Sequence, residues 1–474
     1  MNNAKQNQLA VVIGGSVAGL LMACVLADFF KEVIILERDT IPDDAQPRKK
    51  VSQENHSHIL LDKGISVIES FFPGIIKDLQ ASGASVADTS RDIAWNIQGV
   101  WQGRYTNGHK AILSLRPYFD FTIRKYLLQR HKNVIIRDKC TAAGFLTTTD
   151  KTRINGVIMI DKAGRREEIT ADLTVDAGGR GSKTPEWLKN LGYDAPDTVE
   201  IDLQLGYASR RYECPDDFQE DWQFLAIYPK FPGSWRAGTL SKVQNKQWIV
   251  TMSGYFGDHA PVDDAGFLAF AKSLRHDAIY NQIKDKVPIS DTHVFNTQKC
   301  IRRHYEKMTA FPDGLIVTGD AVCVLNPIFG QGISIAAGAA AILQQYLSAS
   351  TGGGDRLKGL SKKFQRKLAA FTDIPWLVTS TIDLGYPQTK GKRPFGASIA
   401  FWVVKNAITL SASNEHVSRD FLKMMHLQGG LNIMLKPSFV FPILFHGIRN
   451  GFARSGSKRA GDTVVQREKT GSHT

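Results

Sequence analysis

Cysteine is scarce and scattered: the 474 residues hold five, Cys24, Cys140, Cys214, Cys300 and Cys323, with no CxxC pair. That spacing supports neither a disulfide framework nor a zinc site, and a reducing cytosol is the expected compartment. Long apolar runs are also missing. The uncharged stretch Leu9 to Ala27 is interrupted by Gly14, Gly15 and Gly19 and has no basic start or cleavage site, so it is expected to be neither a membrane span nor a signal peptide. No internal repeat, nucleophile triad or paired-carboxylate signature stands out. Acids are in the minority, 46 against 59 lysines and arginines, and the net charge of +13 favours anionic partners such as phosphates, acidic lipid headgroups or nucleic acid. Nucleic acid has only that charge in its favour, since no recognition module is present.

What is there is an ordinary globular composition, 43% hydrophobic and 22% charged, in a chain long enough for two or three packed units. Gln8 to Ile13 reads as a strand buried on both faces, followed by the turn Gly14-Gly15-Ser16-Val17-Ala18-Gly19, a helix over Leu20 to Phe30 and a second strand, Glu32 to Leu36, ending at Glu37. This is the dinucleotide pattern GxGxxG with Ser16 at the middle glycine. A small serine still lets backbone approach a pyrophosphate seated on the helix amino terminus, and Glu37 is placed to accept ribose hydroxyls. Arg38 suggests a 2′-phosphate, but the acid beside it argues against one.

Nearly three hundred residues later the chain reads GDAVCVLNPIFGQGIS from Gly319 to Ser334. Asn326, Pro327, Gly330 and Gly332 predict a tight loop, and Ile333 to Tyr346 an Ala-rich helix whose positive end would stabilise an electron-rich ring. Between the two motifs lie RKKVSQENHSHIL (Arg48 to Leu60), SLRPYFDFTIR (Ser114 to Arg124) and ADLTVDAGGRGSKTPEWL (Ala171 to Leu188). In this order, over roughly residues 8 to 345, the chain resembles the FAD-dependent monooxygenases of the para-hydroxybenzoate hydroxylase fold. Within that group it is most similar to the flavin epoxidases of polyether biosynthesis and, more distantly, to squalene epoxidase.

The resemblance implies FAD held at its adenosine end by Gly14, Gly15, Ser16, Ala18, Gly19, Glu37 and Arg38. Asp320 would bind the ribityl chain, and Pro327, Gly330, Gln331, Gly332 and Ile333 would wrap the isoalloxazine. Arg116 matches an arginine that reaches the flavin or its pyrophosphate, and Arg48 or Lys49 a basic position near the ring. His56 and His58 have no metal-ligand partners at useful spacing and read as structural or supporting. In aromatic hydroxylases the third motif carries an acid linked to nicotinamide binding. Here that position is Gly178, within Ala177-Gly178-Gly179-Arg180-Gly181-Ser182, so direct NAD(P)H reduction and a separate flavin reductase both stay open.

The fold class expected is α/β (α+β overall): a Rossmann-like FAD-binding domain with an inserted antiparallel-sheet substrate domain and a helical carboxy-terminal region. The expected divisions are 1–85, 110–190 and 300–350 for FAD, 86–109 and 191–299 for the substrate sheet, 355–450 for the helices, and a disordered tail over 451–474. Alternation from Val199 to Tyr207 predicts a half-buried strand, and Trp222 to Tyr228, Ser234 to Val243 and Gln247 to Phe256 predict further strands. Trp95, Trp101, Trp222, Phe224, Tyr228, Trp235, Trp248 and Tyr255 suit a lipophilic cavity wall, although most large rings serve a core. The run Pro437 to Phe445, with His446, Arg449, Arg454, Lys458 and Arg459, fits either an acidic membrane surface or a helix capping the cavity. Pro442 favours the cap.

The function these features imply is a monooxygenase using a flavin C4a-(hydro)peroxide and O2 to epoxidise or hydroxylate a lipophilic alkene-containing, polyketide or terpenoid-like metabolite. The enzyme would be cytoplasmic, with possible peripheral membrane contact. The alternatives are a flavin dehydrogenase or prenyl reductase that ignores oxygen, and a non-catalytic flavoprotein docking on membranes. A halogenase is disfavoured, because the WxWxIP motif is absent and the Ile374-Pro375-Trp376 triplet does not replace it.

Overall fold

The computed structural model describes residues 7–48, 52–349 and 357–449. The disordered tail inferred for 451–474, with Arg454, Lys458 and Arg459, and also Lys49, lie outside the described residues.

The chain begins as the glycine pattern predicts. Strand β1 (Asn7–Ile13), helix α1 (Val17–Ala27) and strand β2 (Phe30–Leu36) follow one another directly. β1 lies at the centre of an all-parallel five-stranded sheet in the order Leu315–Val317, Leu173–Asp176, β1, β2, Val134–Arg137. Its strands are Val- and Ile-rich because both faces are covered, and Ala10, Val11, Val12, Val33 and Ile35 are wholly buried. Ten of the eleven residues of α1 are buried, since the helix is wedged between this sheet and the long helix Gly332–Ala349. The expected Rossmann-like unit is therefore present. A three-stranded antiparallel sheet, Thr141–Thr147, Ile154–Ile160 and Arg166–Thr170, is attached to it.

The second large body is a mainly antiparallel nine-stranded sheet. Its backbone is Asp197–Glu213, paired on one side with His293–His304 and on the other with Gln247–Gly254. Arg236–Val243 and Phe224–Ile227 continue outward, and Phe224–Ile227 pairs in parallel with Ile93–Ile97. Cys323–Val324 joins the opposite edge, so the second motif begins where the two sheets meet. The alternation in Asp197–Glu213 holds only in its first half. From Leu205 to Arg210 every residue is buried, because the register shifts between Asp202 and Leu205 and the strand then runs between two packed layers. Phe267 and Phe270 of helix Asp264–Lys272 pack with Ala208, Tyr212 and Met252 on one side.

Helices Leu360–Leu384, Ala397–Leu410 and Glu415–Met425 form the carboxy-terminal layer with a further helix over 437–449. This layer shares one apolar cluster with Leu203, Leu205, Tyr207 and Tyr255 of the large sheet.

Candidate active site

At the amino-terminal turn, Gly14 has φ +102°, and a Cβ there would stand 2.5 Å from the carbonyl oxygen of Ala177. A Cβ on Gly19 would stand 1.8 Å from the Gly14 carbonyl. Both glycines are therefore demanded by close packing of the protein on itself, Gly14 against the end of the neighbouring strand and Gly19 against the turn. Glu37 Oε2 accepts from the Gly15 N–H at 2.8 Å, and Oε1 accepts from the Asp39 N–H at 2.9 Å. The carboxylate is thus fixed at the mouth of the turn with lone pairs to spare. Arg38 is exposed beside it.

Ser16 opens α1 without its side chain capping the helix, and no acid lies in the first turn. The Ser16 hydroxyl instead accepts from Arg48 Nη2 at 2.6 Å. Arg48 is buried and also donates to Asp120 Oδ2 (2.7 Å) and Glu54 Oε1 (2.7 Å), with Glu37 at 3.5 Å. Arg48 thus meets both Ser16 of the glycine turn and Glu37 at its mouth. It is an interior hub beside the glycine turn, on which three carboxylates converge. Arg116, half-buried, forms an i,i+4 pair with the same Asp120 at 3.1 Å.

The distant motif comes to this turn. A Cβ built on Gly319, at φ +61°, would lie 3.3 Å from the Ala18 side chain of α1. Asp320, next in the chain, is half-buried and has no hydrogen bond to its carboxylate among the described residues. Burial raises its pKa, opposed by the guanidinium groups of Arg180, Arg116 and Arg303. Of these, Arg180 was passed over in the sequence because it sits in the motif's departure from pattern. It donates to Thr297 and lies 5.8 Å over the Phe295 ring, while Arg303 donates to the backbone carbonyl of Ala321. The acid of that third motif that the chain does possess, Asp176, is consumed locally by the Gly178 N–H (2.8 Å) and the Thr184 hydroxyl (2.6 Å).

The loop before the long helix is braced from several sides. Asn326 Oδ1 accepts from the Ile328 N–H, and its Nδ2 donates to Tyr255 Oη and Asp383 Oδ1, both at 2.9 Å. Tyr228 Oη donates to the Ile328 carbonyl at 2.7 Å, and Gln331 Nε2 to the Met425 carbonyl at 3.0 Å. Pro327 starts a 3₁₀ turn that Gly330 closes in the left-handed region, where a Cβ would strike Ile59 at 2.2 Å. Ile333 is buried, and Ser334 Oγ accepts from the Leu61 N–H at 3.0 Å. Gly332 differs: a Cβ there would meet nothing within 4 Å, as at Gly179 and Gly181. Helix Gly332–Ala349 has no acid in its first turn.

Asp383 was not singled out in the sequence. It is 1% exposed, and burial pushes its pKa up to about 7 despite the Asn326 hydrogen bond. His56 is held neutral by burial at a pKa of about 4 and shares a hydrogen bond with Ser209, which in turn meets Thr251. His56 Nε2, the neighbouring Tyr207 hydroxyl, Thr318 Oγ1 and Gln331 Oε1 are buried without a protein partner. His58, its Nδ1 on the His56 carbonyl, is pushed to about 3 by burial.

Above the loop lies a narrow, almost wholly apolar pocket lined by Trp95, Tyr228, Phe231, Tyr255, Ile328, Phe329, Tyr386, Ile408, Phe421 and Met425 among others. Its free volume is about 40 Å³, so a larger ligand enters only if the wall yields. A wider polar cleft between Pro215–Glu220 and Asn281–Lys286 shares no residue with either motif.

These residues fit FAD. Two helix amino termini lack acidic side chains in their first turns, an acid at the end of β2 can accept hydroxyls, a second carboxylate is unsatisfied among three arginines, and the approach to Gly332 is open.

No protein-family model matches the chain. It is 30% identical over 409 residues to Protein Rv3254 of Mycobacterium tuberculosis, across 82% of this chain and 84% of that protein. Among solved structures it is similar to a flavoprotein/dehydrogenase from Cytophaga hutchinsonii, with a TM-score of 0.67, 15% identity and coverage of 93% and 98% of the two chains. Flavin-dependent brominase Bmp2 superposes with a TM-score of 0.63, at 13% identity over 95% of this chain and 99% of that one. PqsL, a probable FAD-dependent monooxygenase from Pseudomonas aeruginosa, gives 0.59 at 13% identity over 88% and 99%. At these identities the likeness establishes the fold, that of the para-hydroxybenzoate hydroxylase class.

Proposed function

The chain belongs to the family that includes Protein Rv3254 of Mycobacterium tuberculosis, and we propose that this member is a FAD-dependent monooxygenase that epoxidises or hydroxylates a lipophilic, alkene-containing polyketide or terpenoid-like compound. The observation that carries this reading is the approach of Gly319 to Ala18, in the same stretch of chain as a braced loop whose Ile328 and Phe329 line an apolar pocket. On this reading the nucleotide and substrate sites share one stretch of chain.

Bound FAD would supply the activation of O2 for transfer of one oxygen atom. The protein's own part is binding, positioning and exclusion of water. Gly14 to Gly19, Glu37 and Asp320 would hold the nucleotide and ribityl portions, and Pro327 to Ile333 the ring. Tyr228, Asn326 and Gln331 fix that loop through the hydrogen bonds described, so the floor of the pocket is set before substrate arrives. Trp95, Phe231, Tyr255 and Phe421 give the pocket a dry wall suited to hydrocarbon. Reducing equivalents would come from NAD(P)H or from a separate flavin reductase.

The test combines colour and isotope. Purified full-length protein should carry FAD, and Asp320→Ala should retain less of it. With reduced flavin supplied under ¹⁸O2, candidate alkenes should gain one labelled oxygen by mass spectrometry. A product formed equally well without oxygen would replace this proposal with a dehydrogenase or prenyl reductase, and a halogenated product with a halogenase.

A further inference from the structure

The helix over 437–449 is mostly apolar, with Ser438, His446 and Arg449 its only polar residues. Phe439 and Ile443 are buried, and Gly447 lies so close to Trp402 of Ala397–Leu410 that a Cβ would stand 2.0 Å from the indole. The opposite side is bare: Phe441, Phe445 and Ile448 are 68%, 71% and 54% exposed, with Leu444 between them. Their spacing of i, i+3, i+4 and i+7 is that of one continuous helical stripe. Pro442 sits inside this helix without ending it. Leu435 just before this helix, Phe395 just before Ala397–Leu410 and Ile399 in the first turn of the latter are also exposed. All three exposed phenylalanines among the described residues lie in this layer.

Charge selects the occupant. Between Lys390 and Arg449 there are eight lysines and arginines against two acids, Glu415 and Asp420. Lys390, Lys392 and Arg393 are exposed just before Phe395, and Arg449 follows Ile448. A second copy offering the same face would oppose like charges. A bilayer with anionic headgroups accepts both halves of the pattern, the rings at the acyl boundary and the cations at the phosphates. Among the described residues no helix is long and apolar enough to cross a membrane, so the contact is peripheral.

We propose that the outer face of the carboxy-terminal helical layer docks this protein on anionic lipid bilayers. The inner side of the same layer supplies Ile408, Phe421 and Met425 to the pocket wall. A hydrocarbon dissolved in the membrane would thus lie against the layer that forms part of the pocket wall.

The test is co-sedimentation of the full-length protein with vesicles of phosphatidylcholine alone and of equal parts phosphatidylcholine and phosphatidylglycerol. The parent should sediment with the anionic vesicles and little with the neutral ones. Phe441→Ser/Phe445→Ser and, separately, Lys392→Glu/Arg393→Glu should each weaken that binding by about tenfold or more. Circular dichroism and the unfolding midpoint should stay close to those of the parent, because all four side chains are exposed and the one hydrogen bond lost is that of Arg393 Nη2 to the Tyr386 carbonyl. The first pair leaves the basic residues after Arg449 intact, so it separates this face from the tail. Failure of the parent to bind anionic vesicles, or equal binding by the Phe441→Ser/Phe445→Ser variant, overturns the proposal. So does a concentration-dependent dimer that those serines dissociate in analytical ultracentrifugation, which would assign the face to a second copy.

Discussion

Asp383 offers a measurement that depends on no substrate. Its carboxyl is buried in an apolar cluster, with one donor, Asn326 Nδ2, on Oδ1 and only the weak thiol of Cys300 at 4.0 Å from Oδ2. Burial lifts its pKa from 3.8 to about 7. In the unfolded chain the group ionises near its ordinary value, so between those two values the folded protein holds a proton that the unfolded chain has released. Stability therefore falls as pH rises through this window, and the penalty is complete above about pH 7. Three pKa units at about 1.4 kcal/mol each put the cost at roughly 4 kcal/mol, an upper figure for a fully dry site. Asp383→Asn keeps an oxygen for Asn326 and cannot ionise. The variant should thus be about as stable as the parent at pH 4 and more stable by several kcal/mol at pH 8, read from urea unfolding at each pH. If parent and variant follow parallel lines across that range, Asp383 is charged in the folded protein and the reasoning about its burial is wrong.

Three further substitutions test the site's construction. Gly19→Ala should lose FAD together with much of its unfolding resistance, since the added methyl meets backbone at 1.8 Å, whereas Gly332→Ala should fold with stability within ~1 kcal/mol of the parent and show only weaker FAD retention by absorbance. Arg48→Met leaves Glu37, Glu54 and Asp120 facing one another in the interior, and should lower the unfolding free energy by about 3–5 kcal/mol in urea titration.

The parts of the site legible in sequence are those where backbone geometry forces residue choice. The glycine turn with its terminal acid, and the Gly319 to Ser334 stretch, announced themselves because only particular residues permit such close packing, and the fold brings the two together at Ala18. The surroundings of Arg48 were not legible, because nothing local reveals that Glu54 and Asp120 will fold onto it. Alternation located the strand at Val199 but could not show that from Leu205 onward both faces would be covered, since the second cover arrives from elsewhere in the chain. Asp383 did leave a trace: it is the only charged residue between Asp373 and Lys390, and a lone carboxylate in an otherwise neutral helical run is a sign of deliberate burial.

The hydrogen bonds from Gln331 to Met425 and from Asn326 to Asp383 have a consequence for biosynthesis. During translation the nucleotide turn emerges early, whereas the bracing of the distant loop is completed in stages: Tyr228 and Tyr255 precede it in the chain, Asp383 follows it, and Met425 comes last. A polypeptide cut short before Met425 would leave the Gln331 amide without its acceptor, so the last brace of the loop waits on that residue.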